Sequence, residues 1–408
     1  MTSAARPARG WEAQARTVVA AWALVVTASG LAFASLGCGD GESADAGGAA
    51  PVPASQTRRA VASGTELPPP KERRYVSRNG SDANPGSMQR PWKTVQKGLD
   101  SVQPGQTLLI RAGTYRENLV LTRGGTRRKP ITVRSAPGAR VVLAPGTTDR
   151  DNMPLQVGTG SAFVRFDQLI VEGANGPGTA NVYVWGSAHD IELTRCEVRR
   201  SARQGFFSES TTRSILISRC YFHDNGGAGP KNLDHGVYME GARHVIANCI
   251  ITGTRNGFGI QLYPASDHVL ITNNTIVNNR SGVVVGGEGE RTTTQAFLVN
   301  NIVAFNLVYG VTTYWGDGSL GSHNVARNNL VFGNGERDVD DAAGGMVFVG
   351  NLVRNPRFVS AARRDYHLRA GSPAIDRATA RYSPDLDFEG RRRRKSRPPD
   401  LGALEGMR

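Results

Sequence analysis

Six short segments of the chain align on one another: NVYVWG (181–186), GFFSES (205–210), GVYMEG (236–241), GIQLYP (259–264), GVVVGG (282–287) and GVTTYW (310–315). Each is followed by a second short strand-like run and then by one fixed position, held in turn by Cys196, Cys220, Cys249, Asn274, Asn301 and Asn329. The intervals at that position are 24, 29, 25, 27 and 28 residues, and two places beyond it an apolar residue always follows: Val198, Phe222, Ile251, Ile276, Val303, Val331. A period of this length with Gly/Asn punctuation is that of a solenoid, in which every rung pairs with its neighbours roughly 4.8 Å above and below. With 49 glycines and only 7% aromatic residues, the composition agrees with a turn-rich all-β chain rather than a helical one.

The fixed column has a physical reason. A stacked Asn at a turn hydrogen-bonds to its neighbours and to turn backbone, and it tolerates left-handed conformations. Cysteine fits the same inward slot as a small buried residue. The three cysteines are therefore expected as ladder members. They include no CxxC pair, their odd number does not suggest a disulfide framework, and no histidine shares their column to complete a metal site.

The two ends differ from the middle. Net charge is +14, yet residues 153–350 carry 14 Lys/Arg against 17 acids, so the positive charge sits in 71–152 and 351–408. A basic solvated surface is the expectation, and RRRRK (391–395) reads as a flexible basic loop. Arg6, Arg9 and Arg16 precede the apolar run VVAAWALVVTASGLAFASLG, which ends at Cys38 and reads as an export signal. SLGC resembles a bacterial lipobox, which implies lipidation of Cys38 and an outer-membrane or cell-surface location; periplasmic or secreted release is the alternative. The expected organisation is a signal over 1–38, a low-complexity tether over 39–70, and one domain over 71–408. That domain divides into an N-terminal cap with first rungs (71–152), regular rungs (153–350) and a closing segment (351–408).

Between RYVSRNGSDANPG and GQTLLIRAGTYRENLVL, apolar Trp92, Val95, Leu99 and Val102 recur at helical spacing. They predict an amphipathic helix around Trp92–Val102 that covers the open first rung. The stretch 74–121 resembles the N-terminal region of right-handed parallel β-helix proteins of the pectate-lyase type. NPRFVSAARRDYHLRAGSPAID (355–376) and DFEGRRRRKSRPPDLGALE (387–405) resemble the closing segment of secreted members. The resemblance spans about residues 74–406. It implies a right-handed parallel β-helix with a short N-terminal capping helix. The fold alone does not assign an activity, because it hosts lyases, hydrolases, epimerases and non-catalytic proteins.

Period-2 alternation in the first strand of each rung separates inside from outside. Val182, Phe206, Val237, Ile260, Val283 and Val311 face in. One outward column runs Tyr183, Phe207, Tyr238, Gln261, Val284, Thr312; the next runs Trp185, Glu209, Glu240, Tyr263, Gly286, Tyr314. Aromatic faces stack on sugar rings, so Tyr183, Trp185, Phe207 and Tyr263, with Gln261 in the same outward face, are expected to bind a polysaccharide. Glu209 and Glu240, in adjacent rungs, would share a proton or bind a cation such as Ca2+. The insertion HDNGGAGPKNLD (223–234) is expected to bring Asp224, Lys231, Asp234 and His235 to the rim of this face, with Asp224 and Asp234 as further calcium ligands. A second long step, GGEGERTTT (286–294), adds Glu288 and Arg291.

Lyase chemistry on a uronate polymer needs a base beside the carboxylate, positive charge for the enolate and an acid for the leaving oxygen. His235 or Lys231 could be the base, and Tyr238 the acid, or the base if its pKa is depressed. Arg203 and Arg255 could hold carboxylates. Pectate lyases generally place Lys or Arg on the groove strands, and neither outward column contains one. Hydrolysis by Glu209 and Glu240 is a second enzymatic route. The expectation is therefore an exported, monomeric lyase or epimerase acting on an acidic polysaccharide. The alternative is a non-catalytic polysaccharide-binding or structural surface lipoprotein. A nucleic-acid partner is not expected.

Overall fold

The computed structural model describes residues 57–58, 72–146, 152–175, 180–228, 231–313, 320–393 and 396–406. Cys38, the signal and the tether lie outside the described residues, as does Tyr314. From residue 72 onward the chain winds as a parallel β-solenoid with three strand faces. The first face carries the six aligned segments and runs from Leu119–Leu121 to Arg337–Asp340. The second runs from Glu72–Val76 to Met346–Val349. The third is a separate nine-stranded sheet from Gly113–Arg116 to Leu330–Phe332. Strand Phe258–Thr272 turns the corner between the first two faces without a break and pairs on both.

The register is the one the alternation predicts. Val182, Phe206, Val237, Ile260, Val283 and Val311 pair in sequence and are buried. Tyr183, Phe207, Tyr238, Gln261, Val284 and Thr312 pair in sequence beside them, pointing out. Alternation forces this result, because a slip of one residue would carry every apolar side chain to the outside.

Inside the turn between the second and third faces runs the expected ladder. The Asn274 side-chain amide donates to Asn301 Oδ1 at 3.0 Å, Asn301 to Asn329 at 2.9 Å, and Asn329 to Asn351 at 2.9 Å. Each Oδ1 also accepts the backbone N–H one rung back, starting with Cys249 to Asn274 at 2.8 Å. Cys196, Cys220 and Cys249 continue the column as free, buried thiols, and the Cys220 N–H reaches Cys249 Sγ at 3.4 Å. A second ladder that the alignment did not reveal joins Asn279 to Asn306 (3.2 Å), Asn306 to Asn334 (2.8 Å) and Asn334 to Asp338 (2.7 Å). Together the two ladders satisfy turn backbone that would otherwise be buried without partners.

The residue before the first ladder is left-handed in every rung: Arg195, Arg219, Asn248, Asn273, Asn300 and Asn328 have φ between 52° and 60°. Five of these side chains reach outward to the C-terminal segment. Arg219 donates to Phe388 O, Asn248 to Leu386 O, Asn273 to Asp400 O (3.1 Å), Asn300 to Thr379 O (3.0 Å) and Asn328 to Arg377 O (2.8 Å). The C-terminal segment thus runs back along the third face as a strap. It seals a second apolar layer of Ile250, Val277, Ile302, Ala304 and Leu330 under Phe358, Tyr366, Leu368 and Leu401. The described part of the basic run is not a flexible loop: Arg391 pairs with Asp387 and Arg393 is buried against Glu405.

The capping helix is shorter than its periodicity suggests. It spans Val95–Ser101, because Trp92 is drawn into a parallel bridge with Val76. Thr94 caps it, and both carboxylate oxygens of Glu117 accept N–H groups of its first turn, from Val95 and Gln96, at 2.9 Å. Val95, Leu99 and Val102 still face the core.

Candidate functional site

The outward aromatics form a ladder. Tyr183 and Phe207 stack with centroids 5.4 Å apart and planes 9° from parallel; Phe207 and Tyr238 follow at 4.9 Å and 31°. The rings lie on one another along the solenoid axis, so Phe207 is covered on both faces and Tyr183 and Tyr238 on one each, with Tyr183 and Phe207 buried. This corrects the expectation that Tyr183 and Phe207 offer faces to sugar rings, because only edges and hydroxyl groups point away from the ladder. Gln261 and Tyr263, one rung on, are also buried. Trp185 is half-buried and lies across Gly158, where a Cβ would stand 2.2 Å from the indole.

Glu209 and Glu240 sit in adjacent rungs as the alternation predicts, but each has its own partner. Glu209 accepts from the Tyr183 hydroxyl and from the Gly186 N–H at 3.0 Å. Glu240 is nearly enclosed and receives Arg291 Nη2 at 3.0 Å. Burial pushes the Glu240 carboxyl up to about 7; Arg291 opposes that shift, and Glu209 and Glu288 add to it. Arg291 comes from a small antiparallel hairpin, Gly287–Glu288 with Arg291–Thr292, that packs over strand Phe258–Thr272. The pairing of strands slips beside Glu240: Met239 faces Leu262 but Gly241 faces Ser266. Such an irregularity re-aims one side chain out of the regular pattern. Gly241 sits at φ 91°, with Thr212 O 2.3 Å from where a Cβ would be. Sequence reasoning placed Arg291 on a long step but did not pair it with Glu240; the excess length between Val284 and Thr312 was the available signal.

The insertion behaves differently from its expectation. His235 is 2% exposed, its Nδ1 accepts the Phe258 N–H at 3.1 Å, and its ring stacks on Phe258 at 4.7 Å. Burial, with Arg203 nearby, pushes its pKa down to about 3. A neutral, enclosed imidazole whose nitrogen is already bonded is no base for a polymer; it meets Tyr238 edge-on and helps hold it. Asp234 is fully buried and faces the half-buried Arg203 through Nε at 3.0 Å, so the carboxylate is internal rather than at the rim. Asp224 lies at the end of a third-face strand, where Arg364 and His223 hold it; the hydrogen bonds from Arg364 chiefly pull its pKa down to about 2. Lys231 and Arg255 are exposed. Tyr238 is half-buried, and burial with Glu240 nearby raises its pKa well above the usual value. It keeps its proton and can act as an acid, not as a base.

The four carboxylates expected to hold calcium therefore fall in three places, with Asp224 and Asp234 each already matched to an arginine. Among the described residues no group of three or more His, Cys, Asp or Glu side chains is arranged to hold a metal ion. Beneath the strap, a cavity of about 310 Å3 is lined by Tyr221, Ile250, Arg364, Tyr366, His367 and Phe388 among others. Its charged groups already face one another: His367 lies between Asp365 (2.6 Å) and Glu389 (3.2 Å).

A family profile described as Pel9A-like, right handed beta helix region, matches residues 74–340. The chain belongs to this family. The solved crystal structure of pectate lyase Pel9A superposes with a TM-score of 0.59 at 16% identity, over 83% of this chain and 97% of that one, a likeness of fold. An uncharacterized protein of Bacillus subtilis, YwoF, is 41% identical over 70 residues, 17% of this chain and 15% of the relative. Pectate lyase PEL9 of Emericella nidulans is 34% identical over 79 residues, 18% of this chain and 19% of the relative. These matches cover less than a fifth of either relative. Within the Pel9A-like family match lie the aromatic ladder, Glu209, Glu240 and the Arg291 hairpin.

Proposed function

We propose that this chain is a lyase or epimerase acting on an acidic, uronate-containing polysaccharide laid along the first face, with Glu240 as its proton-transfer group. The observation that carries the reading is Glu240 itself, an enclosed carboxyl brought near neutral pKa beside an arginine, at the edge of an aromatic ladder. A base poised near the working pH suits removal of the proton beside a substrate carboxylate. Tyr238, held protonated within the same cluster, is suited to supply the leaving oxygen with a proton. Membership of a Pel9A-like family and the pectate lyase names of two relatives support the substrate class.

A second reading is glycosidic hydrolysis, favoured by the contrast between the two carboxyls. Glu209 accepts hydrogen bonds from Tyr183 and Gly186, whereas burial favours the protonated form of Glu240. For either reading we also propose export and a membrane tether at Cys38, with the chain acting as a monomer.

The test is turnover of pectate, alginate and glycosaminoglycans, each with calcium and with chelator. Ultraviolet absorbance would report unsaturated products, proton NMR epimerised residues, and a reducing-end assay hydrolysis. The proposal expects unsaturated or epimerised product that Glu240→Gln abolishes while binding persists. Reducing ends without unsaturation would favour hydrolysis. Binding without any product would mean a polysaccharide-binding protein.

A further inference from the structure

We propose that Arg291 reads the carboxylate of the bound polymer and, by turning to it, releases Glu240 to act as the base. This rests on the acidic-polysaccharide reading above. Arg291 stands on a hairpin outside the solenoid wall, and its side chain is 42% exposed while that of Glu240 is only 8% exposed. A half-exposed guanidinium therefore covers a nearly enclosed carboxylate. It meets Glu240 through one nitrogen, Nη2, at 3.0 Å. A guanidinium has five N–H donors in a planar fork, so it retains donors suited to bidentate capture of a second carboxylate.

The charges around Glu240 make this exchange consequential. Glu209 approaches from the preceding rung, Glu288 and Arg291 from the hairpin, and Tyr238 from the same strand. Arg291 is the group among these that holds the Glu240 carboxyl down, while burial and the two glutamates push it up. A uronate that takes the guanidinium removes the counter-ion of Glu240 and adds another negative charge beside it. Both effects make Glu240 a stronger base at the moment the substrate is in place.

The step balances. Glu240 takes the proton from the carbon beside the uronate carboxylate, forming an O–H bond as the C–H bond breaks. The electron pair passes into the carboxylate as an enediolate, which Arg291 neutralises. In elimination the pair returns to form the carbon–carbon double bond as the glycosidic C–O bond breaks, and the departing oxygen takes the proton of Tyr238. In epimerisation Tyr238 instead gives its proton to the opposite face of the same carbon, forming the new C–H bond.

The test compares pH–rate profiles and ligand discrimination for the full chain and for Arg291→Ala and Arg291→Lys, both at one exposed hairpin position. The profile of kcat/KM reports the free enzyme and that of kcat the bound one. In the unsubstituted protein the rising limb of kcat should lie at higher pH than that of kcat/KM, which sits near 7. In Arg291→Ala the limb of kcat/KM should move upward and the gap between the limbs should narrow, leaving only the part due to the uronate's own charge. The preference for acidic over methyl-esterified oligosaccharide should fall about tenfold in binding, with Arg291→Lys retaining part of it. Coincident limbs in the unsubstituted protein, or an unchanged preference in Arg291→Ala, would overturn the role of Arg291 while leaving the acidic-polysaccharide reading intact. Calorimetry with a labelled or inert oligouronate separates the two failures, since no binding of any uronate by the unsubstituted protein would sink the substrate class itself.

Discussion

Arg393 and Glu405 form an ion pair of 2.9 Å inside the C-terminal strap, where the two residues are 3% and 7% exposed. Arg393 also donates to Asn248 Oδ1, so the pair is fastened to the solenoid turn. Burial lowers the pKa of Arg393 and raises that of Glu405, each in the direction of its neutral form. Removing one partner leaves the other charge buried without compensation. Arg393→Ala should cost about 3–5 kcal/mol in urea denaturation, whereas the paired replacement Arg393→Met with Glu405→Leu should cost far less. Equal losses for the single and double variants would argue against the pair.

The inward asparagine ladder should be worth more per residue than the cysteine column that continues it. Asn301 accepts from Asn274 on one side and donates to Asn329 on the other. Asn301→Ala should destabilise by about 1–3 kcal/mol because it orphans buried amide groups. Cys220→Ala loses only weak thiol contacts and a little volume, and should cost about 1 kcal/mol. Chemical denaturation of the two variants side by side checks the order.

Stability should respond to pH through two buried groups of opposite sign. Glu240 has its folded pKa raised from 4.5 to about 7, so its contribution is fully present below pH 4.5 and is lost as pH rises through 7. His235 has its folded pKa lowered from 6.5 to about 3, so its contribution is present above pH 6.5 and is lost as pH falls toward 3. Glu240→Gln should remove roughly 3 kcal/mol of alkaline-side decline, and His235→Gln should flatten the acid-side decline. Denaturant midpoints measured every half pH unit would show both, and a Glu240→Gln profile parallel to the parent would refute the first.

Gly257 is required by a close approach of backbone. A Cβ there would stand 1.2 Å from Asp234 O, at the base of the 223–234 insertion. Gly257→Ala should cost about 3 kcal/mol or more by displacing the insertion. Limited proteolysis should then cut within 223–234, and an intact insertion in that variant would contradict the argument.

The stack of Tyr183, Phe207 and Tyr238 should act as one unit. Phe207→Ala should cost about 3–5 kcal/mol and weaken the near-ultraviolet dichroism of both tyrosines. Phe207→Leu should keep much of the stability but not the dichroic signal. A variant in which both are unchanged would mean that the rings stand independently.

The rungs were legible because two periods are written into the chain. Alternation assigned Val182, Phe206 and Val237 to the core, and the interval between Cys249, Asn274 and Asn301 set the rung length. The second ladder was legible too, in the repeated spacing of NNTIVNN and NNIVAFN, but its asparagines stand five residues beyond the first set and were not aligned. The site was half legible. Alternation put Tyr183, Glu209 and Glu240 outside; it is silent on whether rings stack on one another or face solvent, and that depends on side-chain torsions. His235 and Asp234 lie at the end of an insertion, where no period applies, and a loop can return into the wall as easily as over the rim. The strap was least legible. Its partners, such as Asn248 and Arg393, lie 145 residues apart, and nothing local marks the match.

The left-handed turn column does more than punctuate rungs. Arg219, Asn248, Asn273, Asn300 and Asn328 each grip the strap, so five consecutive rungs are splinted from the side as well as bonded end to end. Solenoids ordinarily fray by shedding terminal rungs one at a time. Here the last rungs cannot leave singly, because the strap that crosses them is anchored further back. Pulling the chain from its C-terminus should peel the strap first, in one event, and only then unwind the rungs beneath it.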